Sequence, residues 1–233
     1  MRVDREPGER DVEHELRLDI DAGRPLAELT VSIDGVCRRA EDGATVLVLC
    51  LENMPPGARV WPGRVSIQEV NRWERALRRL ERLSSVTIAV AHGTCGGPAL
   101  DLWLAADYRI GSADLRMMLP VNDGHFWPGM ALHRLVNEIG VARARRLVLW
   151  GHEITAERAE ALGLVDEIAG ELEEAVRAAA LLLGQEAGAD YALRRQLLLE
   201  APAASYEEAL GAHLAACDRD LRRQLTTADG NDR

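Results

Sequence analysis

A glycine-rich turn lies between an apolar segment and a helical segment, an arrangement that can bind negative charge. The largely apolar run Val86–Ala91 is long enough for one buried strand. Gly96 and Gly97 follow it, and the segment Ala99–Ala106 has a helical pattern. A strand, a turn and a helix in this order direct backbone N–H groups and the positive helix end at one point. The turn therefore predicts a site for an anion or a developing oxyanion, or a tight turn whose glycines supply only positive φ angles.

Further groups able to transfer protons or attack carbonyls lie near this turn in the sequence. Asp123 and His125 are part of the loop VNDGHFWPG, which spans residues 121–129. Cys95 precedes the helical segment, and a helix N-terminus lowers the pKa of a thiol, so a nucleophilic role is an alternative. No basic partner for Cys95 is fixed by the spacing, and the four cysteines show no metal-ligand spacing with histidine. We therefore expect no metal site.

The elements that must position these groups alternate between strands and helices. Leu16, Leu18 and Ile20 alternate with polar residues as in a half-buried strand. Ser66 and Glu69 have the spacing of a capping box, and an apolar stripe follows. The stripe consists of Ile67, Val70, Trp73, Leu77 and Leu80, and it assigns Trp73 to the core. The pattern predicts an α/β fold with an α-helical C-terminal subdomain.

The remaining predicted elements complete this organisation. The chain divides into a flexible leader (1–13), an α/β core (14–170), a helical region that could form an oligomer interface (171–223) and a disordered tail (224–233). The predicted strands are Thr45–Leu51, Val86–Ala91, Tyr108–Ile110, Leu115–Leu119 and Leu164–Ile168, and residues 92–98 and 121–129 are predicted to be irregular.

Composition excludes several classes of function. A formal net charge of -10 argues against nucleic acid as a partner, because a phosphate backbone needs a basic surface. No apolar run approaches the length of a membrane span, and the charged N-terminus does not have the pattern of a signal peptide. The four scattered cysteines fit a reduced protein without a disulfide framework. These features predict a soluble, cytoplasmic protein.

Two segments resemble a known enzyme family. The string SVTIAVAHGTCGGPALDLWLAADYRIGSADLRMMLP, followed by WPG and then WGHEITAERAEALGLVDEI, is similar to the signature of the crotonase superfamily, the enoyl-CoA hydratases and isomerases. The resemblance covers residues 84–169 and implies the crotonase fold, a ClpP-like spiral of ββα units. It also implies a CoA thioester as substrate, no separate cofactor, and a homo-oligomer, either a trimer or a hexamer.

The same resemblance implies an oxyanion hole at the glycine turn. Family members hold the thioester carbonyl between two backbone N–H groups, and the second of these comes from a glycine triplet. The triplet corresponds here to Gly97, Pro98 and Ala99, and the donating position falls on Pro98, which has no N–H. Gly96, Gly97 and Ala99 are the candidates that remain. The loop that supplies the family's first donor is replaced by ENMPPGARVWPG, which begins at Glu52.

The acid and base residues implied by the resemblance also differ. The first catalytic glutamate of the family corresponds to Asp101, which is one methylene shorter. Asp101 is then a general acid or base if burial raises its pKa, or else a carboxylate that caps the helix or lies at the edge of the core. The second glutamate corresponds to Val121, which cannot transfer a proton, although Asp123 and His125 follow closely.

One branch of the family shares a further stretch, WPGRVSIQEVNRWERALRRLERL. The stretch is similar to the small crotonase-like B component of 3,5-dihydroxyphenylglycine biosynthesis in glycopeptide-antibiotic pathways. That resemblance implies a type III polyketide synthase and a second crotonase homologue as partners. The implied function is a dehydratase that helps the synthase form 3,5-dihydroxyphenylacetyl-CoA from a malonyl-CoA-derived tetraketide thioester. Two alternatives stay open: a degenerate protein that holds the thioester or docks on the synthase, and a general enoyl-CoA hydratase or isomerase.

Overall fold

The computed structural model describes residues 15–52 and 60–231, with side chains described as far as residue 223. The predicted leader, residues 1–13, lies outside the described residues. Two compact units divide the chain, one ending at Ala187 and one beginning at Gly188. The first unit contains all strands found in the described residues and the candidate site.

The longer elements of the first unit alternate between strands and helices as the sequence predicts, whereas short strands also occur within the segments 92–98 and 121–129 that it predicts to be irregular. In chain order, the elements are β1 (Glu15–Ile20), α1 (Leu26–Glu41), β2 (Val46–Leu51), α2 (Ile67–Leu80), β3 (Val86–Ala91), β4 (Thr94–Gly96), α3 (Gly97–Ala105), β5 (Tyr108–Gly111), β6 (Arg116–Met118), β7 (Val121–Asn122), β8 (His125–Phe126), α4 (Ala131–Trp150), β9 (Ile154–Thr155), α5 (Ala156–Glu160), β10 (Glu167–Ile168), α6 (Leu172–Leu183) and a 3-10 helix over Gly184–Glu186.

A five-stranded parallel sheet forms the centre of the first unit, in the order β1-β2-β3-β5-β10. Strands β2 and β3 pair in register from Val46 opposite Val86 to Leu51 opposite Ala91. Every residue of β3 is buried, as expected for a strand covered on both faces of a parallel sheet. The sequence prediction of a buried strand at Val86–Ala91 is confirmed.

A second, three-stranded sheet, β4-β6-β9, carries the glycine turn. Strand β4 pairs in parallel with β6, with Cys95 opposite Met117. The sequence interpretation treated residues 92–98 as irregular, which is wrong for the three residues of β4. A strand of three residues is too short for its alternation to be recognised, and only its pairing with β6 identifies it.

Helix α2 begins with the predicted capping box. Ser66 Oγ accepts from the backbone N–H of Glu69 at 3.3 Å, and Glu69 Oε2 accepts from the backbone N–H of Ser66 at 2.8 Å. Trp73, like Leu77 and Leu80, is buried, so its assignment to the core is confirmed. Ile67 is 73% exposed and is not part of the buried stripe, because the first turn of α2 extends beyond the core.

The second unit contains α7 (Ala189–Glu200) and α8 (Tyr206–Asn231). The predicted breaks near Gly188 and Ala201–Pro202 are present at the ends of these helices. Helix α8 continues to Asn231, inside the segment 224–233 for which the sequence predicts a disordered tail. Of the helices in the described part of the chain, none combines the length and apolar character that a membrane span requires.

Candidate active site

The glycine turn, defined here as residues 93–99, comprises β4 and the first residues of α3. Gly96 has extended backbone angles and precedes α3, and no side chain caps the helix. Gly97 adopts a φ angle of 53°, in the left-handed region that glycine tolerates best. Pro98 occupies the first turn of the helix, where its missing N–H costs no helical hydrogen bond. The candidate oxyanion donors Gly96, Gly97 and Ala99 thus lie together at the N-terminus of α3, and all three are buried.

The side chain of Trp61 covers this turn. A β-carbon at position 97 would lie 3.2 Å from both Cβ and Cγ of Trp61. Trp61 itself is 5% exposed, and its ring meets that of Trp73 edge-on, with 5.9 Å between the centroids. Its backbone N–H donates to the carbonyl of Val121 at 3.2 Å. Trp61 therefore packs directly against Gly97, in the space that a side chain at that position would need.

Asp101 lies one turn into α3, where the helix turns it toward the two tryptophans. It is 5% exposed, and the Nε1–H of Trp73 donates to its Oδ2 at 3.0 Å. The indole of Trp61 also favours the charged form of this carboxyl group. Because Gly96 is the residue that precedes α3, Asp101 does not cap the helix. Its carboxyl group is enclosed in the core rather than placed at the protein surface.

Burial, together with the neighbouring carboxylate of Glu74, raises the pKa of Asp101 from 3.8 to about 7. The guanidinium of Arg134 and the indole hydrogen bonds act in the opposite direction, because they favour the charged form. A carboxyl group with a pKa near 7 is divided between acid and base forms at neutral pH. It can therefore accept a proton and return it, as general acid–base catalysis requires.

An ion cluster formed by Arg134, Glu74 and Glu81 lies beside Asp101 and connects α4 to α2. Arg134 binds Glu74 Oε2 through two nitrogens, each at 3.2 Å, and binds Glu81 Oε1 through Nε at 2.9 Å. The backbone of Met130 also favours the charged form of the Glu74 carboxylate. Burial raises the pKa of Glu74, against the opposing effect of Arg134. We refer to these three side chains as the Arg134 cluster.

The other two predicted acid–base residues lie on the hairpin β7–β8. Asp123 and Gly124 form its two-residue turn, with φ angles of 50° and 79°, as in the hairpin turn that favours Asp-Gly. Asp123 and His125 are both exposed. Among the contacts of the described residues, none joins either side chain to Asp101. The structure thus groups Asp101 with Gly97 and does not group it with the hairpin residues.

Cys95 is 1% exposed in β4, next to the glycine turn. Burial raises the pKa of its thiol well above the ordinary range, and the nearby carboxyl of Asp101 adds to this effect. A thiol that stays protonated is a poor nucleophile. The alternative of a cysteine nucleophile therefore has no support in the geometry. Within residues 15–52 and 60–231, no three acidic, histidine or cysteine side chains are grouped as in a metal site.

Three residues of the site were missed by reasoning from sequence: Trp61, Glu74 and Arg134. Trp61 lies in a segment rich in proline and glycine, which indicates a loop and gives no sign of a buried ring. Glu74 directly follows Trp73, and that position beside the apolar stripe was the available signal that its carboxylate could be partly buried. The partner of Glu74, Arg134, is 60 residues away in the sequence, and no local pattern connects them.

Comparison with known proteins identifies the family of the chain. The family model for enoyl-CoA hydratase/isomerase matches residues 67–230. A protein of Amycolatopsis orientalis named enoyl-CoA-hydratase is 43% identical over 216 residues, which cover 91% of this chain and 99% of that protein.

Solved structures agree with the fold. An enoyl-CoA hydratase/isomerase from Marinobacter aquaeolei has a TM-score of 0.72 at 20% identity and covers 94% of each chain. An enoyl-CoA hydratase from Mycobacterium smegmatis has a TM-score of 0.73 at 17% identity, covering 90% of this chain and 89% of that one. The predicted crotonase fold is confirmed, and the chain belongs to the enoyl-CoA hydratase/isomerase family.

Proposed function

We propose that this chain is an enzyme that removes water from a CoA thioester, with Asp101 as the group that moves the proton. The observation that carries the proposal is the buried Asp101 carboxyl, whose pKa is raised to about 7, one helical turn from the glycine turn. The relationship to the enoyl-CoA-hydratase of Amycolatopsis orientalis supports chemistry of this class.

The proposed reaction consists of two proton transfers, both carried by Asp101. The Asp101 carboxylate takes the proton from the carbon next to the thioester carbonyl, and the electron pair moves toward the carbonyl oxygen. The N–H groups of Gly97 and Ala99 stabilise that oxygen. Asp101 then gives the proton to the hydroxyl on the next carbon, which leaves as water as the double bond forms. The carboxylate is restored, so that a single acid–base residue is sufficient.

The substrate that we propose is a cyclised polyketide thioester made by a type III polyketide synthase. Loss of water from such a tetraketide gives an aromatic ring, as in 3,5-dihydroxyphenylacetyl-CoA, and aromatisation supplies driving force. A reaction driven in this way needs less catalytic help than fatty-acid hydration, which fits a site with Val121 in place of the second glutamate. The resemblance of the stretch beginning at Trp61 supports this substrate, the synthase and a second crotonase homologue as partners.

A second candidate function is an auxiliary protein that binds the thioester or the synthase without chemistry of its own. The observation in its favour is Trp61, which fills the space over Gly97 that a thioester carbonyl would need. Pro98, which lacks an N–H, also favours it. In this case Asp101 is a structural acceptor for the indole N–H groups.

We also propose that the protein is a cytoplasmic homo-oligomer, a trimer or a hexamer. Leu210, Leu214 and Leu221 follow one another at heptad spacing on α8, and each is at least 41% exposed. Such a row on a helix is typical of an association surface. Sedimentation of the full chain tests this, and a monomer at micromolar concentration would contradict it.

Reconstitution tests the proposed function. The type III synthase is incubated with malonyl-CoA, with and without this protein, and products are followed by mass spectrometry. We expect the wild type to increase the dehydrated aromatic product and the folded Asp101→Asn variant to lose that effect. An equal increase from both proteins supports the auxiliary function. No effect from either protein would reject the synthase partner.

A further inference from the structure

The groups that would contact a thioester at the candidate active site are all covered. Asp101 and Trp61 are almost fully buried, and the candidate donors Gly97 and Ala99 are buried as well. A thioester carbonyl has to lie about 3 Å from the donor N–H groups if they are to stabilise its developing charge. A substrate therefore reaches these donors and Asp101 only after a covering group has moved.

Trp61 is the covering group whose movement disturbs the fold least. Gly97 and Asp101 belong to α3, in which every residue is buried, and Trp73 is fixed in the buried stripe of α2. Trp61 instead lies in an irregular segment that begins at Val60, which is 62% exposed. Segments outside regular elements open at a lower free energy than buried helices do, and such segments form the lids of many enzymes.

Two hydrogen bonds from the hairpin β7–β8 hold this segment in place. The backbone N–H of Trp61 donates to the carbonyl of Val121 at 3.2 Å, and Asn122 Nδ2 donates to the carbonyl of Gly63 at 3.3 Å. Beyond these bonds, the indole of Trp61 packs against the glycine turn and meets the ring of Trp73 edge-on. The segment is thus bound to the hairpin by its backbone and to the site by one side chain.

We propose that Trp61 is the gating residue of the active site. Its indole covers Gly97 and Asp101 in the free protein, and segment 60–65 moves away from the hairpin to admit the acyl end of a CoA thioester. This inference rests on the proposed function, because it takes a thioester as the molecule that enters. In the open state the thioester carbonyl lies beside the glycine turn, in space that the indole has left.

The test labels the full-length protein with 5-fluorotryptophan and follows its five tryptophans by ¹⁹F NMR. The Trp61 resonance is identified by its loss in Trp61→Phe. In the free protein we expect this resonance to be the same in H₂O and D₂O. At saturating acetyl-CoA, which has no hydroxyl to lose, it should acquire the solvent isotope shift of an exposed indole. Trp103, a buried tryptophan that donates to the carbonyl of Leu164 at 2.7 Å, is the internal control and should not change. A Trp61 resonance that stays shielded from solvent with acetyl-CoA bound would overturn the proposal.

The rate of acetyl-CoA association gives a second readout, measured by surface plasmon resonance on the immobilised full chain. Trp61→Ala removes the covering indole and should increase the association rate roughly tenfold, because entry no longer waits for a minor open state. Trp150→Ala removes a tryptophan that is 70% exposed at the end of α4 and should keep the wild-type rate. Equal rates in wild type and both variants would contradict gating by Trp61.

Asn122→Ala gives the corresponding test if Trp61→Ala does not fold. This change keeps Trp61 but removes one of the two bonds that hold the segment to the hairpin. We expect association to become roughly threefold faster, since the open state is then more populated. A rate equal to or below that of wild type would mean that the hairpin does not hold the segment closed.

The NMR and association measurements need no turnover, so they separate the gate from the proposed function. If acetyl-CoA exposes Trp61 while Asp101→Asn keeps full dehydration activity, the proposed function fails and the gate is supported. If the wild type dehydrates its substrate while Trp61 stays covered, the gate fails and the proposed function stands. If acetyl-CoA binds neither the wild type nor Trp61→Ala, both proposals fail.

Discussion

Two regions of the first unit carry acidic side chains that the sequence associates with proton transfer, and they differ in what surrounds the carboxyl group. Asp101 is enclosed by α2, α3 and the segment that carries Trp61, and it accepts a hydrogen bond from the indole of Trp73. Asp123 lies at the turn of the exposed hairpin β7–β8. In the first region the carboxyl group is buried and accepts a hydrogen bond from an indole. In the second region the carboxyl group is exposed, and its residue forms part of a tight turn.

This difference shows why residue type and spacing alone do not identify an acid–base group. A carboxylic acid becomes useful for proton transfer at neutral pH when burial disfavours its charge. Burial depends on which residues the fold brings around the carboxyl group. Asp101 is covered by Trp61 and Trp73, which lie 40 and 28 residues earlier in the chain. Asp123 supplies the positive φ angle that its turn requires.

The largest expected effect is a loss of activity when the carboxyl group of the buried region is replaced, compared with the same replacement in the hairpin. Asp101→Asn removes a group able to take and return a proton while keeping a side chain of the same shape. We expect kcat/KM for dehydration to fall by about 10²-fold or more, the usual contribution of a general acid or base. Asp123→Asn, the matched change on the hairpin, should stay within roughly threefold of wild type. Equal losses in the two variants would remove the distinction between the regions.

The two regions should also differ in how their carboxyl groups make the free energy of unfolding depend on pH. The folded pKa of Asp101 is raised from 3.8 to about 7, so the folded chain keeps a proton that the unfolded chain has released. The stabilisation from this retained proton is fully present below pH 3.8 and is lost as the pH rises through about 7. We expect about 3 kcal/mol less stability at pH 8 than at pH 5 from this group. Urea unfolding should show this slope in wild type and Asp123→Asn and a reduced slope in Asp101→Asn; identical slopes would contradict the burial of the charge.

Each of the two regions contains a glycine with a positive φ angle, and the cost of replacing it should differ between them. Gly97 faces Trp61, whereas a β-carbon at Gly124 would meet nothing within 4 Å. Gly124→Ala should cost about 1 kcal/mol of unfolding free energy, from backbone strain alone. Gly97→Ala should cost roughly 1–2 kcal/mol more, because Trp61 must move away. Equal urea midpoints for the two variants would show that Trp61 does not press on the glycine turn in solution.

The smallest expected effect concerns the indole hydrogen bond. Trp73→Phe keeps an aromatic ring but removes the N–H that donates to Asp101 at 3.0 Å. Because that bond favours the charged carboxylate, its loss should raise the pKa of Asp101 by less than about one unit. The rise of kcat/KM with pH would then begin at higher pH. A shift to lower pH would mean that the indole stabilises the protonated form instead.

The sequence alone predicts those parts of the fold whose pattern lies within a few consecutive residues. The buried strand β3, the capping box at Ser66 and the core position of Trp73 all follow from patterns within a few residues. The pairing of β4 with β6 and of β7 with β8 could not be predicted from the sequence, because strands of two or three residues are too short to show an alternation of apolar and polar residues.

The candidate site could be predicted only in part, for a related physical reason. The resemblance led to Asp101 and the glycine turn, which lie close in the chain and also in space. Trp61 and the Glu74–Arg134 pair belong to the same site through contacts between distant segments. Their side chains look like loop and surface residues until the fold places them, and apart from the position of Glu74 directly after Trp73 no local pattern indicates them.

The most direct test of the central claim is the titration of the Asp101 carboxyl in the wild-type protein by ¹³C NMR. If Asp101 is the buried group that exchanges a proton during dehydration, its resonance should change with a main midpoint near pH 7. A midpoint near the ordinary value of 3.8 would mean that Asp101 is a fully ionised structural acceptor for the indoles. In that case the dehydratase function would lose its proton carrier.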